Sequence, residues 1–466
     1  MTEHDLVVLG GGTGNIVAAA AADAGMDVAL VERGRLGGTC LNRGCNPSKQ
    51  LVHRANVVET VRNAARLGIE ASVEDVAFEA IVDDVIDDVT EAAERKGRDA
   101  RASDDITFHR KRGRFVDEHT VEVADDDGSG GDRLTAERIV LAGGSRPMVP
   151  DPIEGTEETP FLTSDEALRL SELPDHLVVV GGGYIAVELS HFFARMGAEV
   201  TIVGRGGLLA DREDEDVARR LTEAYREVCD LHLGYRVNAV AAEEGERVVR
   251  AEDESGETLS VRGDRLLVAT GRQPNSDTWN VPAAGIETDE KGFVETDEYL
   301  ETSVEGVYAI GDIAGNYMFK HSGDKEAEHV VETVVRGERS AVEYPGMAHA
   351  IFGSPQVGSL GRTEGDLEED AVNYEVGRHA YDDTAYGSVL DHGDGFAKVL
   401  VGEDDAVLGC HVVGPDASTL IHEVSTAVAA GADATTIAET IHVHPALSEV
   451  VQGAFRDVVD VAPSGI

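Results

Sequence analysis

Cysteine is scarce in this chain, with four residues in 466. That scarcity excludes a disulfide-stapled fold, which would be cysteine-rich. Zinc needs four ligands, and no second Cys pair or His pair has the spacing to build a site, so no metal is expected. Lysine occurs only at Lys49, Lys96, Lys111, Lys291, Lys320, Lys325 and Lys398, and arginine supplies the rest of the positive charge. Apolar runs are all too short to span a bilayer, which argues against a membrane partner. The opening residues Met1-Thr2-Glu3-His4-Asp5 lack the basic stretch and the apolar core of a secretory signal. A cytoplasmic protein is expected. Proline-rich and low-complexity linkers are missing too.

Acid is what the chain has in excess. The formal net charge is −49. Acidic stretches recur throughout, at Asp125-Asp126-Asp127, from Asp211 to Asp216 and from Glu364 to Asp370. Such a surface repels itself in dilute salt, and molar salt screens that repulsion. A halophilic setting follows, and nucleic acid is not an expected partner. The chain is 42% hydrophobic, enough for real cores, so the acid does not mark a disordered protein. Its length implies about three domains.

The short apolar strand Leu6-Val7-Val8-Leu9 runs into the glycine turn Gly10-Gly11-Gly12-Thr13-Gly14. A small-residue helix through Ala24 follows, then the strand Val28-Ala29-Leu30-Val31, ending at Glu32. This is a βαβ unit whose acid stands about 20 residues beyond the glycines, placed to bind a ribose diol. A second copy runs Leu177-Val178-Val179-Val180, Gly181-Gly182-Gly183-Tyr184-Ile185-Ala186, a helix through Phe193, and Val200-Thr201-Ile202-Val203. One such motif is weak evidence. Two, each between a strand and a helix, predict two dinucleotide sites. The second ends Gly204-Arg205, with no acid at the diol position. Arg205 is there suited to a 2′-phosphate, which favours NADPH. From Phe352 onward the texture becomes α+β.

Cys40 and Cys45 stand in Gly37-Gly38-Thr39-Cys40-Leu41-Asn42-Arg43-Gly44-Cys45-Asn46-Pro47-Ser48-Lys49. Two cysteines this close, beside a nucleotide turn, point to a disulfide that opens and closes in catalysis. Leu141-Ala142-Gly143-Gly144-Ser145-Arg146-Pro147 and Val268-Ala269-Thr270-Gly271-Arg272-Gln273-Pro274 read as crossings between nucleotide domains. Tyr308-Ala309-Ile310-Gly311-Asp312 puts a carboxylate just after a buried strand, where it can bind a cofactor hydroxyl. Near the end, His444-Pro445-Ala446-Leu447-Ser448-Glu449 offers an imidazole and an acid to orient it. Thiol–disulfide exchange needs a thiolate attacker and a protonated leaving thiol, and a histidine serves both steps.

Together these motifs resemble the flavin-dependent pyridine nucleotide–disulfide oxidoreductases, over essentially the whole chain. The resemblance implies an α/β fold: two Rossmann-type domains for FAD and NADPH and a C-terminal α+β dimerisation domain. The implied divisions are 1–149 for FAD, 150–270 for NAD(P)H, 271–345 for the second part of the FAD region and 346–466 for the interface domain. It implies that Gly10, Gly12, Gly14, Glu32, Thr39, Gly143 and Asp312 bind FAD. Gly181, Gly183, Tyr184, Arg205 and Gly271 serve the second nucleotide, with Tyr184 covering the nicotinamide pocket. Cys45 lies against the flavin and Cys40 is the exchange thiol. Lys49 pairs with Glu188, and His444, oriented by Glu449, reaches the disulfide of the other subunit of a homodimer. The route implied is NADPH to FAD, to the Cys40–Cys45 disulfide, to a small-molecule disulfide.

Within the family, Thr13-Gly14-Asn15 is similar to the mycothione reductase subgroup. With the halophilic surface, this resembles reductases of bis-γ-glutamylcystine. Dihydrolipoamide dehydrogenase with NAD is the alternative. The tail Val461-Ala462-Pro463-Ser464-Gly465-Ile466 has no further cysteine pair. Ala210 falls where a second phosphate-binding arginine is expected, and Arg212 is its substitute. Lys320, His321 and Lys325 are substrate-pocket candidates. Arg43 stands where the family has an apolar residue.

Overall fold

The computed structural model describes residues 1–125, 127–150, 153–390 and 394–459. The tail discussed above, and Asp126 of the first acidic stretch, lie outside the described residues. Both dinucleotide units form where the glycine pattern places them. In the first, five parallel strands run in the order Val307–Ala309, Ile139–Leu141, Leu6–Leu9, Val28–Val31, Ile106–His109. Val8 aligns with Leu30 on one side and with Val140 on the other. Leu6 and Val8 pack with Val17, Ala21 and Leu30 on one face, while Val7 and Leu9 pack with Phe115, Val121 and Ile313 on the other. A parallel strand covered on both faces must be apolar at every position, which explains the unbroken Leu-Val-Val-Leu run.

The second unit repeats the device with four parallel strands, in the order Asp230–Leu233, Glu199–Gly204, His176–Val180, Arg265–Val268. The repeat extends to the glycines that open each turn. Gly10 sits at φ +105°, and a Cβ there would lie 2.1 Å from the Ala142 carbonyl oxygen. Gly181 sits at φ +130°, and its Cβ would lie 2.3 Å from the Ala269 carbonyl oxygen. Both backbone conformations and both close approaches admit only glycine. They bring the strand-to-helix turn against the neighbouring crossing in each unit.

The C-terminal region is an antiparallel sheet ordered Ala348–Ile351, Gln356–Gly361, Val407–Gly414, Phe396–Val401, Glu375–Ala380. Helices Ala417–Ala429 and Ser448–Val458 cover it, with Ile421, Val424, Val450 and Phe455 in its core. Lys398, on the strand Phe396–Val401, is 1% exposed. Its ammonium donates to Asp214 at 2.7 Å and to Asp216 at 2.8 Å and pairs with Glu364. Three carboxylates converge there, and the lysine holds them. That cluster ties the start of the helix Glu215–Arg226 in the second unit to the C-terminal sheet. Removing one partner of a buried pair typically costs about 3–5 kcal/mol, because the other charge is left without its counter-ion.

Candidate functional site

A single cavity of about 1290 Å³ runs between the two glycine turns and past the redox loop. Gly12, Glu32, Thr39, Cys40, Cys45, Lys49, Gly143, Gly181, Gly183, Tyr184, Glu188, Arg205, Gly271 and Asp312 all line it, whereas Gly10 and Gly14 lie beneath it in the turn. Residues more than 300 positions apart in sequence therefore face one space. The helix Gly14–Asp23 opens beside it with no side-chain cap and no acid in its first turn, so the positive end of its dipole is left uncompensated at the cavity.

The residue chemistry fits FAD and a second dinucleotide. Glu32 accepts from the Gly11 amide at 2.9 Å and the Gly34 amide at 2.7 Å, which fixes its carboxylate at the cavity wall. Asp312 accepts from the Ser145 hydroxyl and pairs with Arg272 Nε at 3.8 Å. Arg272 also donates to Ser145 Oγ at 2.7 Å and to its carbonyl at 2.9 Å. The Gly311 amide, just before Asp312, donates to the buried Glu326 at 2.6 Å. Glu326 also accepts from the Tyr344 hydroxyl at 2.7 Å. Burial pushes the Glu326 carboxyl up, against the pull of those hydrogen bonds.

The redox loop is held from both ends. Cys40 lies in the first turn of the short helix Gly38–Arg43, and Cys45 begins the helix Cys45–Asn63. The structure holds both as thiols. The bond from Cys40 draws the Cys45 thiol down to about 6; burial opposes the shift and the Lys49 charge assists it. Cys40 is pushed up by the same bond and then by burial. Cys40 Sγ also lies 3.5 Å from Asn46 Oδ1. One thiolate and one thiol is the division of roles that exchange requires. The other two cysteines are buried, and burial pushes Cys229 up to about 12 and Cys410 up as well. Reactivity is thus confined to the pair.

Lys49 donates to Glu188 at 2.5 Å across 139 residues and lies 4.9 Å above the Phe352 ring. The Phe352 amide donates to the other Glu188 oxygen at 3.1 Å. Arg43 pairs with Asp165 at 3.5 Å, beside the Arg169 donor that reaches the Asn42 carbonyl at 2.6 Å. That pair gives Arg43 a place: it ties the redox loop to the start of the second unit.

His444 and Glu449 come together but stand apart from this cavity. His444 Nδ1 lies 2.9 Å from Glu449 Oε1, and Glu449 Oε2 accepts from the Ala446 amide at 3.0 Å. His444 is 49% exposed and is not among the residues lining the cavity. Its neighbours Ile441 and Val443 are 96% and 74% exposed. Of the substrate-pocket candidates, Lys320 lines the cavity and pairs with Asp324, while His321 bonds the Ala348 carbonyl at 2.8 Å. Lys325 is exposed and lies elsewhere.

Arg205, Arg212 and Arg236 also line the cavity. Among the described residues none of the three has an ion-pair partner. Asp211 lines it too. Arg236 carries no motif signal; it sits on the strand Tyr235–Glu243 and is brought in by the sheet. Ala210 is buried and contributes no charge.

Comparison with known proteins shows the family. The family model described as pyridine nucleotide-disulphide oxidoreductase matches residues 4–337, and its dimerisation domain matches residues 347–455. The chain is 35% identical to dihydrolipoyl dehydrogenase 3 of Haloarcula marismortui, covering 99% of this chain and 98% of that one. It is 33% identical to mycothione reductase of Mycobacterium tuberculosis, over 97% and 99% of the two chains. Among solved structures, the HOCl-induced flavoprotein disulfide reductase RclA of Escherichia coli superposes as its Cu(II) complex with a TM-score of 0.86. The identity there is 27%, and 98% of this chain and 99% of that one are covered. No helix is long and apolar enough to cross a membrane among the described residues. The chain belongs to the class I pyridine nucleotide–disulfide oxidoreductases.

Proposed function

We propose that this flavoprotein is an NADPH-dependent reductase of a low-molecular-weight disulfide, with bis-γ-glutamylcystine as the substrate. What supports the reading is the cavity itself, lined by Cys40 and Cys45, by both dinucleotide turns and by three arginines without an ion-pair partner among the described residues. Bound FAD supplies the two-electron relay between coenzyme and disulfide. The chain's own residues do the rest. Gly12, Gly14, Glu32, Thr39, Gly143 and Asp312 hold that cofactor, and Lys49 with Glu188 sets a fixed charge pair beside the dithiol. Cys40 attacks the substrate disulfide and forms a mixed disulfide as the first substrate thiol leaves, and the Cys45 thiolate then attacks Cys40 Sγ, closing the Cys40–Cys45 disulfide as the second substrate thiol leaves. His444, oriented by Glu449, moves the proton in a homodimer, across the interface, where Ile441 and Val443 are covered. Exposed apolar side chains flanking an acid/base pair support such an interface. The four divisions at 149, 270 and 345 belong to the same reading, as do a halophilic setting and a cytoplasmic location.

A second reading has support of its own. Dihydrolipoyl dehydrogenases of three haloarchaea are 35–36% identical to this chain, and an NAD-dependent dihydrolipoamide dehydrogenase would use the same dithiol. The coenzyme separates the two. Wild-type protein should show a higher kcat/KM for NADPH than for NADH. Arg205→Ala should cost about 1.5–3 kcal/mol toward NADPH alone, the worth of a charge-assisted contact. Equal values for the two coenzymes in the wild type would sink the NADPH assignment.

A further inference from the structure

Lysine is rare in this chain, yet two of its seven lysines, Lys49 and Lys320, line the cavity that holds Cys40 and Cys45. Lys49 has its place beside Cys45, paired with Glu188. Lys320 opens the helix Lys320–Val334 and pairs with Asp324 one turn further on, both side chains being partly buried.

Two close approaches set where this second pair stands. A Cβ on Gly38 would lie 2.6 Å from Gly12 Cα, and one on Gly323 would lie 3.1 Å from Thr13 Cγ2. The short helix that carries Cys40 and the first turn of the helix that carries Lys320 are therefore seated on adjacent residues of the same glycine turn. The start of the second helix is also fixed from behind. Phe319, just before Lys320, stacks on His349 at 5.2 Å between ring centroids. His349 Nε2 lies 2.8 Å from Oε1 of the buried Glu213, and the Ser359 hydroxyl donates to the other oxygen at 2.5 Å.

The bond from Cys45 and then burial push the Cys40 thiol up; the Lys320 ammonium works against them and the Asp324 carboxylate with them. On Cys45, behind the bond from Cys40 and burial, Lys49 draws the thiol down and Glu188 pushes it up. Each sulfur thus has its own ammonium–carboxylate pair.

We propose that Lys320 is the counter-charge of the exchange thiol: its ammonium stabilises the Cys40 thiolate that attacks the substrate disulfide, and Asp324 limits the effect. The inference rests on the assignment of Cys40 as the exchange thiol. In the attack Cys40 gives its proton to the acid/base, its sulfur bonds one substrate sulfur, and the other substrate sulfur leaves and takes the proton. Until it leaves, the negative charge is on sulfur beside Lys320, and a fixed ammonium lowers the cost of that state. Lys320 acts through Cys40, as a positioning residue.

The test is alkylation of the flavin-loaded Cys45→Ser protein by iodoacetamide across pH, at one salt concentration, with the labelled residue identified by peptide mass. In that background Cys40 has no dithiol partner, and Cys229 and Cys410 are buried. Alkylation follows the thiolate, so its midpoint reads the Cys40 thiol. Adding Lys320→Met should move the midpoint up and slow alkylation below it by about threefold to tenfold. The plateau at high pH should be kept, because the more basic thiolate is no weaker a nucleophile. Adding Lys320→Arg should leave the midpoint where it was, and adding Asp324→Asn should move it down. An unchanged midpoint in Lys320→Met, or shifts of the same sign in Lys320→Met and Asp324→Asn, overturns the proposal. If Lys320→Met fails to load flavin, Asp324→Asn decides alone, and a midpoint that does not fall overturns it. The midpoint belongs to Cys40 whatever its role, whereas the flavin band of the Cys40→Ser and Cys45→Ser variants decides that role separately.

Discussion

Cys40→Ser should abolish disulfide reduction, by more than about 1,000-fold as for removal of a nucleophile, and should leave the reduced flavin site spectroscopically intact. In the proposed arrangement, with Cys45 on the flavin side, its thiolate should give a long-wavelength absorbance in the two-electron-reduced enzyme. Cys40→Ser keeps that sulfur, so the band should persist. Cys45→Ser should lose the band and turnover together. The pH sign follows from the Cys45 thiol, which is drawn down to about 6 by the bond from Cys40. The thiolate fraction, and the band with it, should rise as pH increases through about 6 in the wild type. A band that survives in Cys45→Ser and vanishes in Cys40→Ser would mean that the two roles are exchanged.

His444→Ala should cost about 10²–10⁴ in turnover, the usual worth of a positioned acid/base. The structure adds a sharper expectation. His444 is half-exposed and lies off the cavity that holds Cys40, so its partner dithiol should belong to another copy of the chain. Cys45→Ser and His444→Ala should each be inactive as homodimers. Unfolded and refolded together in molar salt, they form mixed dimers, about half of the total by random pairing, each with one site built from two good residues. Activity should return to about one quarter of wild type. No recovery, with mixed dimers demonstrated by mass, would place His444 in its own chain's site or outside the chemistry.

What the sequence made legible was local. The two glycine turns, the strands that feed them and the Cys40–Cys45 loop are all written in contiguous residues whose spacing carries the physics. Both turns also show the same backbone approach, at Gly10 and Gly181. The Lys49–Glu188 pair, 139 residues apart, came only from family resemblance, since no periodicity links the two positions. Glu213, His349 and Ser359 were missed entirely. Glu213 sits in an acidic stretch that reads as solvated surface, yet its side chain is buried, because strands from the C-terminal sheet close over it. Arg236 was missed for a similar reason: an arginine on a strand edge looks like any other until the neighbouring sheet aims it at the cavity. Lys398 reads as an ordinary strand residue, and only the convergence of Asp214, Asp216 and Glu364 reveals why a lysine is buried there. Arg43, without a role in sequence, finds one in Asp165.

The measurement that tests the central claim most directly is coenzyme oxidation with a panel of disulfides in molar potassium chloride, where the charge of −49 is screened. The panel holds bis-γ-glutamylcystine, mycothione, glutathione disulfide and lipoamide, each with NADPH and with NADH. Bis-γ-glutamylcystine with NADPH should give the highest kcat/KM. NADH-dependent turnover of lipoamide, with no reaction of bis-γ-glutamylcystine, would contradict the account and establish the dihydrolipoamide reading in its place.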